Sequence, residues 1–269
     1  MVACLPDCSK LNWDVGESLW YYINMVFKFT CEYNGKNYQG FQRQNNGPSV
    51  QAVLEDALGR IFSQKIVIAA SGRTDTGVHA MGQVCSFVVD TDMVWDLYKL
   101  AGSVNAFLPD DVAVRDFEIM EDGFNARFSV KSKSYIYRCY VGQVQSPLRD
   151  GFMLQLYKMP EVGFMQDAAK LLVGTHDFTS FSNVNTDKVD KVRTVTEFDV
   201  KLDGDEITFK ISGNGFLRNM VRILVGTLLD VGYGKISVDD IKAIIDSKDR
   251  EKAGQTVAAK GLYLMKVEY

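Results

Sequence analysis

Histidine is nearly absent from this chain: His79 and His176 are the only two in 269 residues. A lone histidine rarely signals a metal site, and there is no H-E-x-x-H pair. The five cysteines, Cys4, Cys8, Cys31, Cys85 and Cys139, are odd in number and scattered. Cys4 and Cys8 form a C-x3-C without a second pair or a nearby histidine, so no metal is expected and a reduced, cytoplasmic chain is the simpler reading. No run of 18 apolar residues exists, so no membrane span is expected. There is no G-x-G-x-x-G after a strand and no Walker loop, so no nucleotide cofactor is implied. Residues 1–22 lack the charged start, apolar centre and small-residue cleavage site of a signal peptide.

What is present is an apolar fraction of 46%, enough for one large core or two smaller ones. The formal net charge is −4, which by itself argues against a nucleic-acid partner. The distribution argues the other way. Between Ala126 and Arg149 lie Arg127, Lys131, Lys133, Arg138 and Arg149 with no acid, and between Ile207 and Leu229 lie Lys210, Arg218 and Arg222, again with no acid before Leu229. Asp90 to Asp122 holds nine acids against Lys99 and Arg115. A basic run is most often just a solvated face, so charge alone leaves RNA binding open.

Residues 26–32 alternate apolar and polar, a strand pattern. Ser49 is placed to cap a helix whose apolar positions, Val50, Val53, Leu54, Ala57, Leu58, Ile61 and Phe62, follow a 3.6-residue period. Residues 66–70 read as a buried strand and 83–89 as another; 93–107 read as a helix and 112–119 as a strand. The first half closes near Glu121-Asp122-Gly123. The second half repeats the plan loosely. It has strands at 134–140, 192–202, 207–212 and 261–269, and helices at 161–173 and 217–229, with a last helix capped by Ser237. Such a succession predicts an α+β fold with a mostly antiparallel sheet covered on one face. Residues 1–24 stand ahead of the first strand as an extension, either disordered or a start assigned too far upstream.

The most informative stretch is Ser71-Gly72-Arg73-Thr74-Asp75-Thr76-Gly77-Val78-His79-Ala80, a polar loop between two expected strands. Loops held by rigid strands are where chemistry is usually placed. A structural reading makes Asp75 a turn residue bonded to its own backbone. A second reading takes Asp75-Thr76-Gly77 as the triplet of aspartic proteases. Those enzymes need two such loops sharing a proton; here the triplet occurs once, and Arg73 two residues earlier disfavours the shared-proton state. On spacing alone the structural and catalytic readings stand side by side.

The longer string Gly-Arg-Thr-Asp-x-Gly-Val-His, followed by Gly82-Gln83-Val84, resembles the catalytic loop of the TruA family of tRNA pseudouridine synthases. Tyr33-Asn34-Gly35 and Gly40-Phe41-Gln42-Arg43-Gln44 resemble that family's first signature, with Phe41 where a tryptophan is usual. Further matches run from Phe124 to Tyr137 and from Gly213 to Arg222, so the resemblance is collinear from about Met25 to Tyr269.

The resemblance implies two similar α/β-sandwich halves, 25–123 and 124–269, sharing a continuous, mostly antiparallel sheet with a basic cleft between them. It implies a homodimer acting on uridines 38 to 40 of the tRNA anticodon arm, without a cofactor. It gives Asp75 the role of nucleophile and Arg73 that of the residue entering the helix as the base leaves. In Lys133-Ser134-Tyr135-Ile136-Tyr137, it assigns Tyr135 to stack on the flipped uracil, and Lys133 is grouped with the substrate contacts. Strand alternation puts Tyr135 and Tyr137 on one side, and Tyr137 is read as core. Phe216-Leu217-Arg218-Asn219-Met220-Val221-Arg222 resembles the family's last motif. Arg218 and Arg222, four apart, would share one helix face. An arginine in so apolar a helix needs a partner, and an Asp75–Arg222 pair would supply one and keep the carboxylate ionised and aimed; Arg218 is the second choice. His79 is expected to be structural or to position substrate. A catalytically silent RNA-binding relative is the remaining alternative, against which the intact Asp75 argues.

Overall fold

The computed structural model describes residues 24–45, 47–91, 93, 95–183 and 190–269. The expected N-terminal extension, with Cys4 and Cys8, lies outside the described residues except for Asn24, which opens the first strand. In chain order the elements are β1 (Asn24–Tyr33), α1 (Val50–Phe62), β2 (Ala69–Ala70), β3 (His79–Asp90), α2 (Leu97–Asn105) and β4 (Val112–Met120). They continue with β5 (Ser132–Val141), β6 (Leu154–Leu156), α3 (Val162–Leu172), β7 (Gly174–Asp177), β8 (Val192–Asp203) and β9 (Glu206–Gly213). α4 (Met220–Gly232), α5 (Asp240–Ser247) and β10 (Leu262–Glu268) complete the chain.

One sheet runs through both halves in the order β4-β1-β3-β10-β5-β9-β8-β7, with β2 on β3 and β6 on β5. The pairing is antiparallel except for β10–β3 and β5–β6. The fold is therefore α+β, with a continuous, mostly antiparallel sheet. The C-terminal strand β10 is its middle: it pairs with β5 of its own half and runs parallel to β3 of the other. That seam is short, with Tyr263 opposite His79 and Leu264 opposite Ala80. It is also close, because a Cβ at Gly82 would overlap the Met265 carbonyl. Only glycine lets the two backbones approach so far.

The buried apolar side chains of residues 25–123 and 124–269 join in one contiguous core. In the first, Phe27, Phe29, Phe62, Phe87 and Phe117 form a chain of stacked and tilted rings beneath α1 and α2. Ser49 accepts from Ala52 N and caps α1 as expected. In the second, α4 is buried at every position except Arg222 and Asp230, and packs on α3 and β5. Ser237 and Asp240 exchange side-chain-to-backbone bonds at the start of α5.

Several expectations are corrected. The strand read at 66–70 is only β2, and Val67 is exposed, because the carbonyl and amide groups of this segment are taken by side chains: Glu55 Oε1 accepts from Ile68 N at 3.0 Å. The helix read at 93–107 is confined to α2, since Asp96 caps at Lys99 N and sets the start there. α4 begins at Met220, three residues later than its apolar pattern suggests, because Asn219 takes a left-handed conformation (φ 62°). Asparagine tolerates that region better than most side chains. Arg218 therefore precedes the helix and shares no helix face with Arg222.

Candidate active site

The Asp75 loop spans residues 71–78, between β2 and β3, and it is braced along its length. Ser71 N donates to Val84 O at 2.8 Å, and the Ser71 hydroxyl donates to Gln83 Oε1. Gln83, fully buried in β3, turns its amide to Gly72 O at 2.7 Å. Lys133 Nζ reaches across from β5 to Ser71 O at 2.6 Å. The first signature supports the middle of the loop: the Tyr33 and Thr74 hydroxyls lie 2.8 Å apart, and Phe41 N donates to Thr74 O at 3.1 Å. Gly40 makes this contact with φ at +93°, where a Cβ would lie 2.7 Å from Thr74 O. Val78 N closes the turn onto Asp75 O at 3.1 Å. The backbone is thus fixed while the Asp75 side chain stays 37% exposed.

Facing Asp75 are groups from the other half. Arg222, in the first turn of α4, donates Nε to Val257 O at 2.7 Å and Nη1 to Asn219 Oδ1 at 3.1 Å. The same Nη1 lies 3.9 Å from Asp75 Oδ2. Two neutral acceptors therefore aim the guanidinium, and the ion pair with Asp75 is loose. At that separation two unit charges attract by about 4 kcal/mol at an effective dielectric of ~20, reduced further by the water at the half-open carboxylate. The carboxylate thus has a balancing charge nearby without its oxygens being tied up in a bidentate clasp. Tyr135 is buried, with its ring edge-on to Phe216 at 5.2 Å. Burial pushes its hydroxyl pKa up, and the Asp75 charge adds to the rise, so the phenol stays protonated near neutral pH. Tyr137 is wholly buried and donates to Ala258 O at 2.6 Å, which is the core role expected for it.

The other candidates separate into two groups. Arg73 and Arg218 are exposed, and neither has a carboxylate partner among the described residues. Lys133 is half-buried and donates to the loop backbone at Ser71 O. His79, expected to be structural or to position substrate, is held as a strut. It is 2% exposed; Gly35 N donates to Nδ1 at 3.1 Å, and Nε2 lies 2.9 Å from Gly151 O. With Nδ1 accepting, Nε2 carries the proton and donates. The ring lies between Tyr263 and Phe152, at 4.7 and 5.4 Å. Burial lowers its pKa, against a smaller opposing pull from the Gly151 and Lys260 backbone.

The basic stretches are also less uniform than their composition. Arg138 and Arg149 pair with Glu206 and Asp205, and Lys210 pairs with Glu197. Sequence reasoning assigned no role to Gln83, Tyr33 or the Val257 carbonyl. The first two lie inside the motif matches; the carbonyl has no sequence signal, because any residue carries one. Among the described residues no group of three metal-ligating side chains is present, and no helix is long and apolar enough to cross a membrane.

The sheet thus brings together an open carboxylate, a fixed guanidinium and a protonated phenol, groups suited to nucleophilic and acid–base chemistry. The profile of the family described as tRNA pseudouridine synthase matches residues 30–129 and 168–269. Asp75 and Arg222 fall within those segments; Lys133 and Tyr135 lie between them. The chain is 44% identical over 247 residues to tRNA pseudouridine synthase A of Bacillus subtilis, covering 91% of this chain and 99% of that one. It is 42% identical over 242 residues to the enzyme of the same name from an Exiguobacterium species (90% and 97%), and 39% identical over 242 residues to that of Acetivibrio thermocellus (90% and 98%). The chain belongs to the tRNA pseudouridine synthase family, whose members are isomerases.

Proposed function

We propose that this enzyme converts uridine to pseudouridine in the anticodon arm of tRNA, at positions 38 to 40, with Asp75 as nucleophile and no cofactor. The observation that carries the reading is the convergence of Asp75, Tyr135 and Arg222, from three separate motifs in two halves, on one open carboxylate. The isomerisation breaks an N-glycosidic bond and makes a carbon–carbon bond at C5 of the same base, without redox change. Asp75 supplies the attacking oxygen, and Arg222 balances its charge. Tyr135 presents its ring to the uracil and holds a phenolic proton beside the carboxylate, where it can serve the exchange at C5. Arg73, exposed two residues from Asp75, occupies the space of the extruded base; extrusion costs a few kcal/mol, and stacking on Tyr135 offsets it by roughly 1–3 kcal/mol. Arg218 contacts phosphate. Residues 25–123 form the half that carries the Asp75 loop, and 124–269 the half that completes the site. The working unit is a homodimer in the cytoplasm, in keeping with the family resemblance.

Tritium release from C5-labelled uridine in a tRNA transcript tests the reading. The wild type should release tritium, and Asp75→Asn should retain RNA binding while its rate falls by about 10⁴-fold or more, the scale on which loss of a nucleophile is felt in other enzymes. Full tritium release by Asp75→Asn would overturn the nucleophile assignment. Peptide cleavage at acid pH by the wild type would instead favour the single Asp-Thr-Gly triplet as a protease loop.

A further inference from the structure

The segment joining the halves, residues 121–131, ends in a tight turn that exposes Phe128 to 76%. A single exposed apolar side chain is ordinary. This one differs in how it is held and in what surrounds it. Phe128 N and Ser129 N both donate to Asn125 O, at 3.1 and 3.0 Å, and Arg127 N donates to Asn125 Oδ1 at 2.9 Å. Ala126, fully buried, donates its N–H to Ser86 Oγ at 3.0 Å and accepts from the Tyr269 hydroxyl at 2.9 Å. The turn is therefore fastened to the sheet, and its aromatic tip is presented without the entropy of a mobile loop. The Arg127 guanidinium lies 5.3 Å from the Phe128 ring centroid, a cation–π pair in which neither member is buried.

The turn also adjoins the site. Ser86, whose hydroxyl accepts from Ala126 N, lies opposite Ala69 in the β2–β3 pairing, and β2 leads directly into the Asp75 loop. Ser71 opens the Asp75 loop and stands two residues before Arg73. Arg73, Arg127 and Lys131 are all exposed, and none has a carboxylate partner among the described residues. Arg138, Arg149 and Lys210, from the same basic stretches, are neutralised by ion pairs. Within the stretch from Ala126 to Arg149, the exposed cations without a carboxylate partner among the described residues are thus Arg127 and Lys131, which flank Phe128 on its own turn.

We propose that Arg127 and Phe128 form a stacking platform for an unpaired base of the RNA substrate that flanks the target uridine, with Arg127 and Lys131 taking its phosphates. An aromatic face accepts any base, because every base has a π-face, and adjacent arginine strengthens the contact. Phosphate contacts to Lys and Arg position the strand without reading its sequence. A protein partner fits poorly, since one ring among cations offers little of the apolar core that such an interface needs. The platform rests on the reading that the substrate is tRNA.

The test is the dissociation constant of an unmodified tRNA transcript, and of its isolated anticodon stem-loop, measured across a salt series for the full chain and four variants. Phe128→Ala should weaken binding by about 5- to 150-fold, the worth of one base–aromatic stack, without changing the salt slope or the melting temperature. Phe128→Trp should restore it. Arg127→Gln should weaken binding and lower the slope of log Kd against log salt by about 1. Tyr98→Ala, which removes another exposed aromatic on α2 (Tyr98 is 91% exposed), should bind as the wild type does. Phe128→Ala binding within twofold of wild type would overturn the platform, as would a Tyr98→Ala variant that loses as much. Affinity is scored apart from product formation, so these outcomes are separate from the proposed isomerisation, which fails only if the wild type makes no pseudouridine.

Discussion

The two halves hold their functional groups by different means. In the first half the key side chain sits on a loop, and polar contacts fix that loop: Lys133 and Gln83 hold backbone carbonyls at its start, the Tyr33 hydroxyl and Phe41 N hold Thr74 at its middle, and His79, just past its end, is tied to Gly35 N and Gly151 O. In the second half Tyr135 and Arg222 sit on β5 and α4, and apolar burial fixes those elements; α4 leaves only Arg222 and Asp230 short of burial. A carboxylate left half-open, as Asp75 is, cannot be held by apolar packing from all sides. Directional hydrogen bonds from behind can hold it. Its partners can be set rigidly because they approach with the far end of a long side chain. Damage to the first half should therefore appear as lost turnover, and damage to the second as lost stability.

The largest departure from that division is expected at Arg222, a packed-helix residue whose tip reaches the Asp75 carboxylate. Arg222→Met should lower kcat by about 10²–10³-fold, the usual loss for one electrostatic contact to reacting groups. Its apolar stem remains to pack, so tRNA binding should hold. A kcat within tenfold of wild type would make the 3.9 Å pair with Asp75 incidental.

Leu224→Ala empties part of the α4 core, where Leu224 is wholly buried. Stability should fall by about 2–5 kcal/mol, read from urea unfolding, while kcat per folded molecule stays within twofold. If kcat falls as steeply as stability, the packed half does more than hold its groups in place.

Lys133→Met asks whether that lysine braces the loop or binds phosphate. As a brace, its loss should cut kcat about tenfold, as slight misplacement of a reacting group can, and leave the salt dependence of tRNA affinity unchanged. A fall of about 1 in the slope of log Kd against log salt would return Lys133 to the phosphate contacts.

The smallest effect concerns pH. Burial depresses the pKa of His79, so the unfolded chain takes up its proton first as pH falls. The contribution of His79 to stability is complete above about pH 6.5, the ordinary histidine value, and is lost as pH drops through the folded value. Melting temperatures from pH 7.5 to 5 should decline more steeply for the wild type than for His79→Gln. Parallel declines would show that the strut is not what titrates.

Periodicity located the long elements well, as for β1, α1, β4, α3, β8 and β9, because each buries one face and the burial demands a pattern. It failed where tertiary bonds replaced local ones. Residues 66–68 are apolar enough for a strand, yet Glu55 from α1 takes the Ile68 amide, and the ladder begins only at Ala69. The apolar run into α4 hid a left-handed Asn219 that delays the helix and moves Arg218 off its face. His79 carries the same letter as a substrate-binding histidine, and only its two backbone partners reveal a strut.

By itself the sequence determined the family, the nucleophile candidate and its surrounding motif, because a reactive residue and the glycines that shape its loop are chemical requirements written at fixed spacings. It also determined the α+β class, through patterns of burial that repeat along each element. The tertiary structure alone decided which charges are free. Arg127 and Arg138 look alike in one basic stretch, but one stands over an exposed ring and the other is neutralised by Glu206, 68 residues away. Likewise β10, last in the chain, becomes the middle of the sheet and the seam beside the active site. Pairing across long separations depends on which surfaces meet once the core has closed, and no local run of residues encodes that.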